Sequence, residues 1–230
     1  MKFPAVAFDL DGTLYPNYQL NLRLIPFILK EQRLLRAMGK ARTILRKSGG
    51  ETVGDFYEEQ AKIMGEILGE SAERVMEKTE KLIYRGWEDH FKKVRLFPHV
   101  AETLDALRKN GIILGLLSDF PPETKLKNLK ISECWDVVLC SEREGFLKPD
   151  TAAFLEIAKL MGTAPEKILY VGNSVSYDVA GSHKAGMKAA LVRALPFLPG
   201  RENQSSAARD ARRADFIFSD YRQLRDYVLN

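Results

Sequence analysis

The spacing of apolar positions changes twice along the chain. Residues 4 to 9 form a short apolar run that ends at Asp9, with Asp11 and Gly12 just beyond, and this reads as a buried strand that breaks into a turn. From about Tyr18 to Leu96 strand-like runs disappear and helical periodicity takes over. Leu24, Phe27, Ile28, Leu34, Leu35, Met38, Ile44 and Leu45 recur at helical spacing, with Pro26 tolerable only near a helix start. Ser48-Gly49-Gly50 ends that stretch. Phe56, Tyr57, Ile63, Met64, Ile67 and Leu68 predict a second helix, closed by Gly69. Ser71 is the N-cap of a third, which carries Val75, Met76, Leu82, Ile83, Trp87 and Phe91.

From Pro98 helix and strand alternate again. Helices are expected over His99 to Lys109, from Pro122 to Asn128, from Asp150 or Thr151 to about Met161, and over Tyr177 to Ala185. Strands are expected at Ile112 to Leu117, Val137 to Cys140, Ile168 to Val171 and Ala189 to Val192. Pro199 to Ala214 reads as a polar surface loop, Phe216 to Phe218 as an edge strand and Tyr221 to Leu229 as a closing helix. This order predicts an α/β fold with a doubly wound parallel sheet. Its two segments, 1–17 and 97–230, are interrupted by an α-helical domain over 18–96.

Composition narrows the class of protein. The chain has 230 residues, 45% hydrophobic and 29% charged, an ordinary globular balance. A net charge of +4 is too mild to argue for a nucleic-acid partner. No apolar run approaches the ~18 residues of a membrane span. The first apolar run is short and holds Asp9 and Asp11, so no signal peptide is expected. Cys134 and Cys140 lack metal-ligand spacing with His90, His99 or His183 and read as reduced structural cysteines. The expectation is a cytoplasmic protein, monomer or homodimer, with no membrane or nucleic-acid partner. Arg23, Lys30, Arg33, Arg36, Lys40, Arg42, Arg46 and Lys47 crowd the first helical stretch and read as a solvated face, or as a positive mouth for anionic esters.

The candidate chemistry lies at the strand ends, where open α/β sheets bind ligands. Asp9-Leu10-Asp11-Gly12-Thr13 sets two carboxylates two residues apart in a tight turn, where they can bind a hard cation and share a two-step displacement. Gly12 permits the turn and Thr13 can hydrogen-bond within it. Three elements follow in order: Leu114 to Ser118-Asp119, Leu147-Lys148-Pro149-Asp150, and Ile168 to Gly172-Asn173-Ser174 with Asp178. Together the four resemble the motifs of the haloacid dehalogenase superfamily of aspartate-nucleophile hydrolases.

That resemblance implies a role for each residue. Asp9 would be the nucleophile. Asp11 would be the general acid and base, with its backbone carbonyl on Mg²⁺. Ser118 and Lys148 would bind the phosphoryl group. Asn173 stands where many relatives carry a metal-binding acid, and Asp178 supplies the second acid of that motif. Asp9, Asp11, Asn173 and Asp178 are thus the expected metal site, weakened by the missing charge. The helical insertion would be a cap that closes over the site. The expected activity is Mg²⁺-dependent hydrolysis of a small phosphorylated metabolite through an aspartyl phosphate. A 2-haloacid dehalogenase, a phosphomutase and a non-catalytic binding protein on the same scaffold are the alternatives. Asp11 opposes the dehalogenase, because those enzymes lack the second acid.

Overall fold

The computed structural model describes residues 2–48, 55–193 and 214–230. Six parallel strands form one sheet in the order β3-β2-β1-β4-β5-β6. They are β1 (Ala5–Phe8), β2 (Ile113–Ser118), β3 (Val137–Cys140), β4 (Ile168–Gly172), β5 (Lys188–Val192) and β6 (Phe216–Phe218). The α/β reading of the sequence is therefore correct. The chain builds outward from β1 through β2 to β3, then crosses to β4 on the other side of β1. The switch point, where ligands bind in such sheets, falls between β1 and β4.

β1 is buried along its whole length because strands flank it on both sides and helices cover both faces. Its alternation assigns Val6 and Phe8 to one face and Ala5 and Ala7 to the other. On the first face Val6 and Phe8 meet α6 (Val100–Lys109) and α10 (Tyr221–Leu229). On the second, small alanines leave room for Phe154, Ile157 and Met161 of α8 (Thr151–Leu160) and its end. The register aligns Phe8 with Leu116 and with Val171, so Asp9, Ser118 and Gly172 end on one edge of the sheet. The Tyr221 hydroxyl of α10 donates to the Thr13 carbonyl just beyond β1, across 208 positions of sequence.

The described residues of 17–47 and 56–91 are mainly helical, as their periodicity predicts. They form α1 (Asn17–Lys30), α2 (Gln32–Lys47), α3 (Phe56–Leu68), α4 (Ala72–Thr79) and α5 (Glu88–Phe91). Leu34, Met38, Ala41, Met64, Val75 and Ile83 make an apolar cluster of their own. Leu20, Leu24, Phe91 and Val94 instead join the cluster under the sheet. The expected caps are present: Gly69 closes α3 in the left-handed region and Ser71 accepts from the Arg74 N–H; of the two residues offered as the start of α8, Thr151 begins it and Asp150 caps it.

Three expectations need correction. Pro26 lies inside α1 rather than near its start. It sits on the exposed face, where water can take the Leu22 carbonyl that a proline cannot serve. The third helix breaks into α4, a π-helical turn over Glu80–Tyr84, and α5. The wider turn directs Ile83 into the helical cluster and the Tyr84 hydroxyl to Glu142. The helix expected from Tyr177 likewise begins as a π-helical turn over Val175–Val179 before α9 (Ala180–Lys184). Most of the polar stretch 199–214, with Gly49 and Gly50, lies outside the described residues.

Candidate active site

Asp9 follows β1 directly and is buried at the floor of the site. The buried Lys148 ammonium donates to Asp9 Oδ1 at 2.5 Å and to Asp178 Oδ1 at 2.9 Å. Thr13 Oγ1 donates to the other Asp9 oxygen at 2.6 Å, the hydrogen bond within the turn that the sequence suggested. Burial pushes the Asp9 carboxyl up to about 7, against the pull of Lys148. Burial alone would depress Lys148, but Asp178 and Asp9 outweigh it and hold the ammonium above its ordinary range. Lys148 is therefore charged, and it neutralises part of a buried carboxylate pair.

The loop after β4 packs against the turn after β1. Asp178 Oδ2 accepts from the Asn173 and Ser174 N–H groups at 3.1 and 2.9 Å. A Cβ at Gly172 would sit 2.3 Å from the Asp178 Cβ, so only glycine lets that carboxylate fold beneath the strand end. Asn173 Nδ2 donates to the Asp11 carbonyl at 3.3 Å. Gly12 has φ +87, and a Cβ there would meet Asn173 Nδ2 at 2.1 Å.

These contacts decide how well the donors suit a divalent cation. The Asp9 carboxylate, the Asp11 carbonyl and the Asn173 amide oxygen are all hard oxygen donors, and Asn173 and the Asp11 carbonyl already touch. Both Asp178 oxygens are occupied, one by Lys148 and one by two backbone N–H groups. Among the described residues no cluster of three or more acidic, histidine or cysteine ligands occurs. The set suits Mg²⁺, which keeps several waters and needs few protein ligands, but it offers little charge.

Asp11 points away from this floor. Its carboxylate receives Lys125 Nζ at 2.6 and 2.7 Å and the Tyr15 hydroxyl. Ser118, fully buried at the end of β2, accepts from the Phe120 N–H at 3.2 Å. The structure thus brings Asp9, Lys148, Asp178 and Asn173 into one connected group, places Asp11 at its lip and Ser118 on the neighbouring strand end.

Sequence reasoning missed Lys125, on α7 (Glu123–Leu129), and Asp119. Asp119 accepts from Ser141 Oγ at 2.8 Å and the Lys148 N–H at 3.0 Å, and so anchors the lysine's backbone. Its place beside Ser118 was the available signal. Lys125 gave none, because only the fold brings it to Asp11. Tyr15 lies four residues after Asp11, a spacing that one turn of chain can close.

Two of the eight basic residues of the first helical stretch are not a solvated face. Arg42 of α2 is buried and donates to Glu142 Oε2 at 2.6 Å. Arg46 donates to Asp119 Oδ2 at 3.0 Å and, through Nε, to the Lys148 carbonyl at 2.9 Å. Both reach across from the helical segment to the sheet's loops. Beside them lies a cavity of about 770 Å³, with Asp11 and Lys125 on its wall and Tyr57, Tyr84 and Trp87 opposite. No helix among the described residues is long and apolar enough to cross a membrane.

Residues 6–192 match the family described as haloacid dehalogenase-like hydrolase. The chain belongs to that family and is an enzyme. It is 29% identical over 194 residues to a glyceraldehyde 3-phosphate phosphatase of Methanothermobacter thermautotrophicus, which covers 82% of this chain and 84% of that one. It is 30% identical over 198 residues to a phosphoglycolate phosphatase of Escherichia coli, over 79% and 77% of the two chains. Its fold is shared with an L-2-haloacid dehalogenase of Xanthobacter autotrophicus at a TM-score of 0.64, with 18% identity over 98% of each chain. That last likeness is one of fold alone.

Proposed function

We propose that this enzyme is a Mg²⁺-dependent phosphatase of a small phosphomonoester. The observation that carries the reading is the Lys148 bridge between Asp9 and Asp178 at the strand ends, with Asp11 two residues on at the cavity wall. The relatives named as phosphatases support it. In the proposed reaction an Asp9 oxygen attacks phosphorus in line and the P–O bond to the alcohol breaks. Asp11, turned from Lys125 toward the floor and protonated there, would give its proton to the departing alkoxide. Water then attacks the aspartyl phosphate, Asp11 takes a proton from it, and inorganic phosphate leaves with the Asp9 carboxylate restored. Lys148 offsets charge on Asp9 and on the phosphoryl oxygens, and the Ser118 hydroxyl donates to one of them.

Mg²⁺ would be held by the Asp9 carboxylate, the Asp11 carbonyl and the Asn173 amide oxygen, and it would neutralise phosphoryl charge. Asp178 would serve chiefly to orient Lys148. Residues 18–96 would act as a cap that shields the site from water.

The test is phosphate release from an alkyl and an activated aryl phosphate, with and without Mg²⁺, by the wild type and Asp11→Asn. Asp11→Asn should slow the alkyl ester by about 10²–10⁴ and the aryl ester far less, since a good leaving group needs little protonation. Equal losses on both would remove Asp11 as the acid. Release that a strong chelator leaves untouched would remove the metal from the reaction, and no release from either ester would bring the dehalogenase back.

A further inference from the structure

The cavity beside Asp11 has a lining that the chemistry at the floor does not require. Tyr15, Tyr57, Tyr84, Trp87, Phe91 and Phe120 contribute to its wall, along with Met64 and Ile83. Its volume of about 770 Å³ falls within the roughly 300–1,000 Å³ of pockets that bury drug-sized ligands. A two- or three-carbon alcohol would leave most of that space to water, against an aromatic surface that gains by being covered.

The charges of the lining are unbalanced. Among the described residues, six carboxylates line the cavity: Asp11, Asp55, Glu58, Glu80, Glu88 and Glu123. Three cations do so, and each already faces one of those acids: Lys125 with Asp11, Arg85 with Glu80, and Arg143 with Glu123. Asp55, Glu58, Glu80, Glu88 and Glu123 are all exposed, so the surplus of negative charge sits around the mouth. A substrate carrying a second anionic group would meet like charge there, and among the described residues each cation of the lining already has an acidic partner.

We infer that the substrate is a phosphomonoester whose alcohol part is uncharged, apolar or aromatic, at least the size of a benzyl group, and without a second anionic group. This rests on the phosphatase reading and narrows it. The phosphate itself goes to the floor, where Lys148 offsets charge, and the organic part lies among the aromatic rings. Lys125 closes the join between the two: it pairs with Asp11 and lies 5.3 and 5.5 Å from the centres of the Phe91 and Phe120 rings.

The test compares matched phosphomonoesters with the intact enzyme and Mg²⁺. Benzyl phosphate should exceed ethyl phosphate in kcat/KM by about tenfold or more, a modest return for burying a ring. It should exceed 4-carboxybenzyl phosphate by a similar factor, although the carboxylate changes the leaving group little. Glu58→Lys combined with Glu88→Lys should narrow that second ratio several-fold. Phosphoglycolate or 4-carboxybenzyl phosphate matching or exceeding benzyl phosphate would overturn the inference and leave the phosphatase reading intact. If no ester is hydrolysed, para-nitrophenyl phosphate included, the phosphatase reading fails instead. The cavity is then judged by binding, read as quenching of Trp87 fluorescence with Trp87→Phe as the control. Benzyl phosphate should still bind the tighter of the two benzyl esters, and equal or reversed affinities would overturn the inference there too.

Discussion

Two buried cations meet carboxylates in opposite ways. Arg42 forms part of a balanced group, in which Arg42 and Arg46 face Glu142 and Asp119. The spare acceptors are also served, since Tyr57 and Tyr84 hydroxyls donate to Glu142. Burial would raise Asp119, yet Lys148 and Arg42 hold it below the usual carboxylate range. Lys148, by contrast, is one cation between two carboxylates, Asp9 and Asp178. The balanced group has nothing left to attract and acts as a fastening between the helical segment and the sheet. The unbalanced one is short of a positive charge, so the burial that raises the Asp9 carboxyl to about 7 is only partly offset by Lys148. A buried site that is under-neutralised is ready for a cation or a reaction, whereas a neutral one is finished.

The largest effect that tests this contrast is on turnover. Asp9→Asn should lower kcat on the order of 10⁶-fold, as loss of a nucleophile does elsewhere. The same change should stabilise the fold at pH 8. A carboxyl raised above its unfolded value costs stability once pH exceeds the unfolded value, and the amide removes that cost. A Tm at pH 8 below that of the wild type would contradict the assignment of strain to Asp9.

Arg42→Met should do the reverse and destabilise by about 3–5 kcal/mol, because it strands Glu142 without its partner. The double variant Arg42→Met with Glu142→Gln should recover much of that loss in urea unfolding. If it recovers nothing, packing of the arginine rather than its charge holds the segments together.

Mg²⁺ affinity, measured by calorimetry, should rise about tenfold from pH 6 to pH 8. Protonated Asp9 cannot ligate, and a group titrating near 7 goes from about one-tenth to nine-tenths ionised over that range. A flat profile would show that Asp9 is not among the ligands. Asn173→Asp should tighten Mg²⁺ binding by at most about tenfold, or 1.4 kcal/mol, since the added charge pays its own desolvation. No tightening would place the cation away from residue 173.

The sheet was legible in the chain because it rests on local signals, and the floor of the site because its residues stand in an ordered set of four motifs. Buried parallel strands are continuous apolar runs, and Asp9 and Ser118 stand at strand ends, whereas Lys148 and Asp178 lie further on, in the stretches that follow β3 and β4. The capping residues Ser71 and Gly69 were read from local signals too. What stayed hidden depends on distance. Arg42 and Glu142 are 100 residues apart, and Lys125 and Asp11 are 114 apart. Helical spacing places Arg42 on a face of α2 but cannot tell whether that face meets water or another part of the chain. The π-helical turns are invisible to a fixed period of 3.6 residues, because they arise where two side chains must both turn inward.

The hydrogen bond from Tyr221 to the Thr13 carbonyl joins the turn that carries Asp9 to the helix that follows β6, 208 positions later. A ribosome makes the two ends of that bond at opposite times. Asp9, the proposed nucleophile, is made early in synthesis, while the residue that fastens its turn emerges only after every strand of the sheet. At about 5–20 residues per second, the nascent chain carries Asp9 for roughly 10–40 s before Tyr221 is available. A half-made chain is therefore one in which the turn that carries Asp9 is still unfastened.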